Sequence, residues 1–232
     1  MSLSPDQQID APPVLSLPAE DILVAITEQA LRLANEKGHR VMIGIAGGPG
    51  SGKSTMATAL AGMLNDMVPG SAALLPMDGF HRRHADLVAS GEVEDKGAPH
   101  TFDAEGFIAL LQYVREADGD VQAPTYSRKI EDVVDDGPVI GANVPIVVVE
   151  GNYLLLDEPR WAGVRPLLDL RLFLDVDKHV VRERLLKRHA EHGLFSREHI
   201  VAHVDRIDLA NYELVDQSKY LADQIYQVID AA

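Results

Sequence analysis

The chain contains no cysteine, which excludes disulfide bridges, thiolate nucleophiles and cysteine-ligated zinc and leaves nothing that calls for an oxidising compartment. Positive charge is also scarce. With 21 basic against 36 acidic residues the formal charge is −15, a field that opposes binding to nucleic acid or to an anionic membrane surface. Long hydrophobic runs are missing as well: the most apolar stretch, Val144 to Val149, falls far short of the ~20 residues that cross a bilayer. The first residues, Met1 to Pro18, carry Asp6, Gln7, Gln8 and Asp10 among several prolines and no apolar segment, so they read as a loose arm rather than a signal peptide or anchor. A cytoplasmic protein is expected, and no repeat or low-complexity tract interrupts it.

What is present is enough hydrophobic residue, 46% of 232, to bury a sizeable core. Strand-length apolar runs alternate with helical patterns, which predicts an α/β fold with a mainly parallel sheet covered on both faces. The runs are Val41–Ala46, Ala72–Pro76, Pro145–Val149, Leu170–Leu174 and, more weakly, Gln224–Val228. Helices are expected over 19–37, 54–66, 103–116, 178–192 and 197–215, with Asp103 as an N-cap and Gly193 as a C-terminal stop. The intervals 80–102 and 121–143 lose periodicity and read as functional loops. One domain over 19–232 follows the arm of 1–18, and a homodimer is left open.

The segment Gly47-Gly48-Pro49-Gly50-Ser51-Gly52-Lys53-Ser54, followed by Thr55, meets the pattern G-x-x-x-x-G-K-[ST] directly after the first apolar run. Glycines let such a loop curl its backbone N–H groups around a polyphosphate, while the next helix offers the same anion its positive end. Lys53 should reach the β and γ phosphates and Ser54 should ligate Mg²⁺. In open α/β sheets the ligand lies at the carboxyl ends of the strands, so chemistry is expected just after each run. Asp78, after the second, is the candidate base for a reacting hydroxyl, reached from a strand expected to neighbour the P-loop strand, with Gly79 leaving backbone room for a substrate. Glu150, after the third, is the candidate Mg²⁺ or acceptor contact.

Lys178 to His192 holds five cations against two acids, a net of +3 in an acidic chain. Arg184 and Arg188, four apart, share a helix face and are candidates for a small arginine-bearing lid that closes over a nucleotide and stabilises phosphoryl charge. The alternative is a solvated face paired with acidic neighbours. His81, Lys96, Tyr126 and Arg128 lie in the irregular intervals and are candidates for an acceptor pocket.

The ordered set GGPGSGKST, PMDGFHRRH, KGAPHTFD, PTYSR, VVVEGNYLLLD and RERLLKRH resembles the family of phosphoribulokinase, uridine kinase and bacterial pantothenate kinase, over about Val41 to Val228. Within it, MDGFH and KGAPHTFD look most like a small subgroup described as fructose transport system kinases or nucleoside/nucleotide kinase-like proteins. The resemblance implies a P-loop NTPase three-layer α/β/α fold and ATP- and Mg²⁺-dependent transfer to a hydroxyl of a small acceptor of sugar or sugar-like type. It assigns Asp78 as base, Lys53 and Ser54 to phosphate and metal, Glu150 to metal or substrate, Arg184 and Arg188 to the lid, and Tyr126 and Arg128 to the acceptor. Uridine kinases usually read D-S-F-Y where this chain has Asp78-Gly79-Phe80-His81, and pantothenate kinases of this type are longer. A guanine-type switch would need N-K-x-D, which is not found, and the D-x-x-G match at Asp103–Gly106 opens a helix instead. A metabolite sensor that binds ATP without turnover is the remaining alternative of another class.

Overall fold

The structure, a computed structural model, describes residues 11–192 and 196–229. Its elements in order are β1 (Val14–Pro18), α1 (Ala19–Glu36), β2 (Val41–Ala46), α2 (Lys53–Met67) and β3 (Ala72–Pro76), then a 3₁₀ turn over Met77–Phe80. Next come α3 (His84–Ser90), α4 (Ala104–Glu116) and four short strands, β4 (Val121–Gln122), β5 (Thr125–Ser127), β6 (Asp132–Val134) and β7 (Val139–Ile140). The chain continues with β8 (Ile146–Gly151), β9 (Leu170–Asp175), α5 (Lys178–His192) and α6 (Arg197–His203). A π-helical turn over Val204–Asp208, α7 (Leu209–Asp216) and β10 (Gln224–Ile229) complete it.

Six strands form one sheet in the order β1-β10-β9-β2-β8-β3, every pair parallel. The central strands β2 and β8 are buried at every residue, as continuous apolar runs covered on both faces require. One face packs α1 and α2 through Ile22, Ile26, Ala57, Leu60 and Leu64; the other packs α4 and the 153–168 segment through Phe107, Leu111, Tyr153 and Trp161. The architecture is the three-layer α/β arrangement expected from the alternating runs.

Several expectations need correction. Val14–Pro18 is not part of an arm but an edge strand whose five residues pair with Ile225–Ile229, and Pro18 is tolerated there because an edge strand has one unbonded side. Residues 1–10 of the expected arm, and Gly193, lie outside the described residues. β3 does not neighbour β2: β8 intervenes, so Asp78 reaches the site from two strands away. The helix expected over 197–215 is split by the π turn, where the Leu209 N–H bonds the Val204 carbonyl. Asp103 does cap α4, its carboxylate accepting from the Gly106 N–H at 2.9 Å, so the D-x-x-G match is a helix start. The intervals 80–102 and 121–143 fold into α3 and two antiparallel pairs, β4–β7 and β5–β6.

Removing residues 1–18 deletes β1 and opens the edge of β10. The truncated chain is expected to fold with stability lowered by about 1–3 kcal/mol, read as a fall in urea midpoint; an unchanged midpoint would show that the strand contributes nothing.

Candidate active site

The loop between β2 and α2 turns sharply. Gly50 and Gly52 have φ of 76° and 91°, conformations that residues with a Cβ rarely adopt. A Cβ on Gly52 would meet nothing within 4 Å, because it projects into a recess of about 300 Å³ lined by Gly50, Lys53, Ser54, Thr55, Arg184 and Arg188 among others. The first amides of α2, beginning at Lys53, have no carbonyl of their own helix to bond and face this end of it. Curled glycines, helix-terminal amides and four cations, Lys53, Arg128, Arg184 and Arg188, around one recess fit a polyphosphate. Gly47, Gly48 and Ser51 form the back of the loop, with the Ser51 N–H donating to the Gly48 carbonyl at 3.2 Å, and Pro49 faces the adjoining cleft.

Lys53, at the start of α2, is 9% exposed and Glu150, near the carboxyl end of β8, 4% exposed. Burial pushes the Lys53 ammonium below its usual range while the charges of Glu150 and Asp78 hold it up. Burial pushes the Glu150 carboxyl above its usual range, against the pull of Lys53. The Ser54 hydroxyl donates to Glu150 Oε2 at 3.0 Å. An adjacent hydroxyl and carboxylate are hard oxygen donors of the kind that hold Mg²⁺ through one or two direct contacts and water, so these residues fit the ion expected from the sequence.

Asp78 sits in the 3₁₀ turn after β3 and lines a cleft of about 390 Å³ together with Lys53, Ser54, His81, Lys96, Tyr126, Arg128 and Arg188. Its carboxylate has no hydrogen-bond partner among the described residues. Its main chain is fixed instead: His81 Nδ1 lies 2.8 Å from the Asp78 carbonyl, and the His81 ring is held between Phe102 and Tyr126 at centroid distances of 4.0 and 4.6 Å. Burial depresses the His81 pKa and so favours the neutral ring. Behind it Phe80, Phe102, Phe107, Tyr153 and Trp161 pack in tilted and edge-on pairs, concentrating this chain's few aromatic rings under the site. Gly79 leaves no room for substrate: a Cβ there would stand 2.3 Å from the Pro124 carbonyl oxygen, so the glycine lets the strand carrying Tyr126 approach.

At the acceptor end, Tyr126 donates to Glu131 Oε2 at 3.0 Å, and Lys96 donates to the Glu131 carbonyl while lying 5.1 Å from the Tyr126 ring centroid. Burial raises the Tyr126 pKa, with the Glu131 charge adding to it. Glu131 was not anticipated, nor was Asn152, which lines the cleft with a buried Oδ1 that has no partner among the described residues. Asn152 stands two residues after Glu150 at the same strand exit, which was the available signal; Glu131 had none.

The cations of α5 divide into two groups. Arg182 pairs with Asp205 at 2.7 Å, Lys178 with Glu213 and Lys187 with Glu191, as a solvated helix face does. Arg184 and Arg188 turn to the loop instead: Arg184 Nη1 lies 3.4 Å from the Gly50 carbonyl oxygen. Burial, then the charge of Arg128, holds the Arg188 guanidinium below its usual range, a cost that an anion in the cleft would relieve. Helix α5 rests on the loop itself, Val181 and Leu185 being the closest residues to a Cβ built at Gly50, and it packs against Ile200 of α6 and Val204 of the π turn.

A parallel α/β sheet with this loop at its carboxyl edge defines a P-loop nucleotide-binding protein. Residues 42–232 match the phosphoribulokinase / uridine kinase family. A provisionally named uridine kinase of Schizosaccharomyces pombe is 34% identical over 227 residues, 95% of this chain and 94% of that protein. A pantothenate kinase of Limosilactobacillus reuteri is 35% identical over 149 residues, 63% of this chain and 48% of that enzyme. Among solved structures, a provisionally named fructose transport system kinase of Silicibacter sp. TM1040 superposes with a TM-score of 0.80 at 33% identity, over 88% of this chain and 98% of that one. The chain belongs to the phosphoribulokinase / uridine kinase family.

Replacing Lys53 by Met removes the buried cation of the recess. Affinity for ATP is expected to fall at least about 100-fold, a loss of about 2.7 kcal/mol, measured by calorimetry on protein whose circular dichroism is unchanged; affinity within threefold of the parent would contradict the phosphate role.

Proposed function

We propose that this chain is a small-molecule kinase that moves the γ-phosphoryl group of ATP to a hydroxyl of a sugar or sugar-like acceptor. The observation that carries the reading is the convergence of Asp78, Lys53, Ser54, Arg128 and Arg188 on one cleft that adjoins the glycine-loop recess. In this reading the triphosphate lies along Gly47–Thr55 with Lys53 on its β and γ oxygens. Asp78 accepts the proton of the acceptor hydroxyl as the new O–P bond forms; the β–γ bridging bond breaks, and ADP leaves with the electron pair. Lys53, Arg184 and Arg188 stabilise the charge that spreads over the transferred group and the leaving oxygen. Mg²⁺, when bound at Ser54 and Glu150, supplies further neutralisation of the phosphate oxygens. His81 holds the Asp78 backbone in place, while Lys96, Tyr126 and Arg128 line the acceptor side.

The sugar-type acceptor is supported by the Silicibacter relative, which covers nearly the whole fold. The Schizosaccharomyces and Limosilactobacillus relatives support a nucleoside or pantothenate as alternatives. A screen of ADP release over fructose, ribose, uridine, pantothenate and related alcohols distinguishes them. Acceptor-dependent turnover is expected, and Asp78→Asn should lower kcat by about 10²–10⁴-fold with ATP affinity retained. Tight ATP binding with no turnover on any acceptor would instead identify a nucleotide-dependent sensor.

A further inference from the structure

His189, His203 and Asp208 bring two ring nitrogens and one carboxylate oxygen within 4.8 Å of one another. They come from three segments: α5, the end of α6 and the last residue of the π turn. The turn itself creates the alignment. In an α-helix a residue and its fifth neighbour are about 140° apart around the axis; the i→i+5 closure of a π turn widens the coil and returns them toward one face. His203 and Asp208 are such a pair, spanning the π segment. Asp208 is 9% exposed, and His189 Nε2 stands 3.0 Å from its Oδ2. The His189 and His203 rings stand nearly perpendicular, at 78° with centroids 5.6 Å apart. An ion pair between His189 and Asp208 accounts for two of these groups but not for the third, His203, whose ring lies against that of His189.

Both histidines also line the large cleft. We propose that the three side chains form a second cation site, separate from Ser54 and Glu150, that takes a divalent transition ion of the zinc type with its open coordination position turned to the cleft. Two imidazoles and one carboxylate are a donor set suited to such an ion rather than to Mg²⁺. With metal–ligand bonds near 2.1 Å, tetrahedral donors stand about 3.4 Å apart, so binding would draw together donors that now lie within 4.8 Å of one another. The inference does not depend on the kinase reading, since it concerns binding alone.

The test is equilibrium dialysis of the full, nucleotide-free chain against Zn²⁺ and Co²⁺ with metal analysis. One equivalent is expected to bind, with the intense visible bands of low-coordinate Co²⁺, and to persist in excess Mg²⁺ and in Glu150→Gln. His203→Ala should weaken binding at least about 100-fold, at or beyond the upper end of the about 10–100-fold that loss of an outer-shell partner costs. Should that variant misfold by circular dichroism, His203→Gln is expected to show the same loss while filling the space. Absence of a stoichiometric ion in the parent chain, undiminished affinity in the His203 variants, or displacement by Mg²⁺ would overturn the proposal.

Discussion

The site depends on burying a cation at the start of α2 and a carboxylate near the end of β8 in the same region of the sheet edge. Neither Lys53 nor Glu150 could be tolerated there alone, because an uncompensated charge in a dry environment is costly. Lys53 opens α2 and Glu150 lies near the end of β8, each charge favouring the other's charged form, and Ser54 supplies Glu150 with a hydrogen bond. The same arrangement keeps a donor and a carboxylate in place without a ligand, so the binding of a polyphosphate and its ion proposed above would need little reorganisation. The loop conformations at Gly50 and Gly52 and the seat of α5 on that loop follow from the need to wrap backbone around the same point.

Around this pair the molecule separates its charges. The chain as a whole is acidic, yet Lys53, Arg128, Arg184 and Arg188 surround one recess, and the remaining cations of α5 are neutralised locally by carboxylates. A small anion is therefore drawn to one place on an otherwise repelling surface. Asp78 is held by different means. Its turn rests on packed rings, with Phe80 and Phe102 against Phe107, Tyr153 and Trp161, so that a carboxylate lacking a hydrogen-bond partner among the described residues is positioned by its backbone.

Much of this was legible in the sequence because it is local. The glycine loop, the strand cores, the Asp103 cap and the strand-end positions of Asp78 and Glu150 each rest on a few adjacent residues. The spacing of Arg184 and Arg188 placed them on one face without naming what they face. What was not legible depends on distant partners. β1 is a strand only because β10 arrives to pair with it, and five residues among prolines do not announce that. The order of strands puts β8 between β2 and β3, and Gly79 proves to accommodate Pro124, a residue 45 positions away. Glu131 gains its place through Tyr126 and Lys96, and the π turn at Val204–Asp208 carries no local mark distinguishing it from ordinary helix.

The central claim is spatial: one loop grips a triphosphate while Asp78 faces its terminal phosphorus. A crystal structure with a non-hydrolysable ATP analogue and Mg²⁺ tests it most directly. The account predicts the polyphosphate along Gly47–Thr55, the ion beside Ser54 and Glu150, and the Asp78 carboxylate turned to the γ phosphorus across a gap that admits one hydroxyl. A nucleotide bound elsewhere, or a γ phosphate turned away from Asp78, would contradict it.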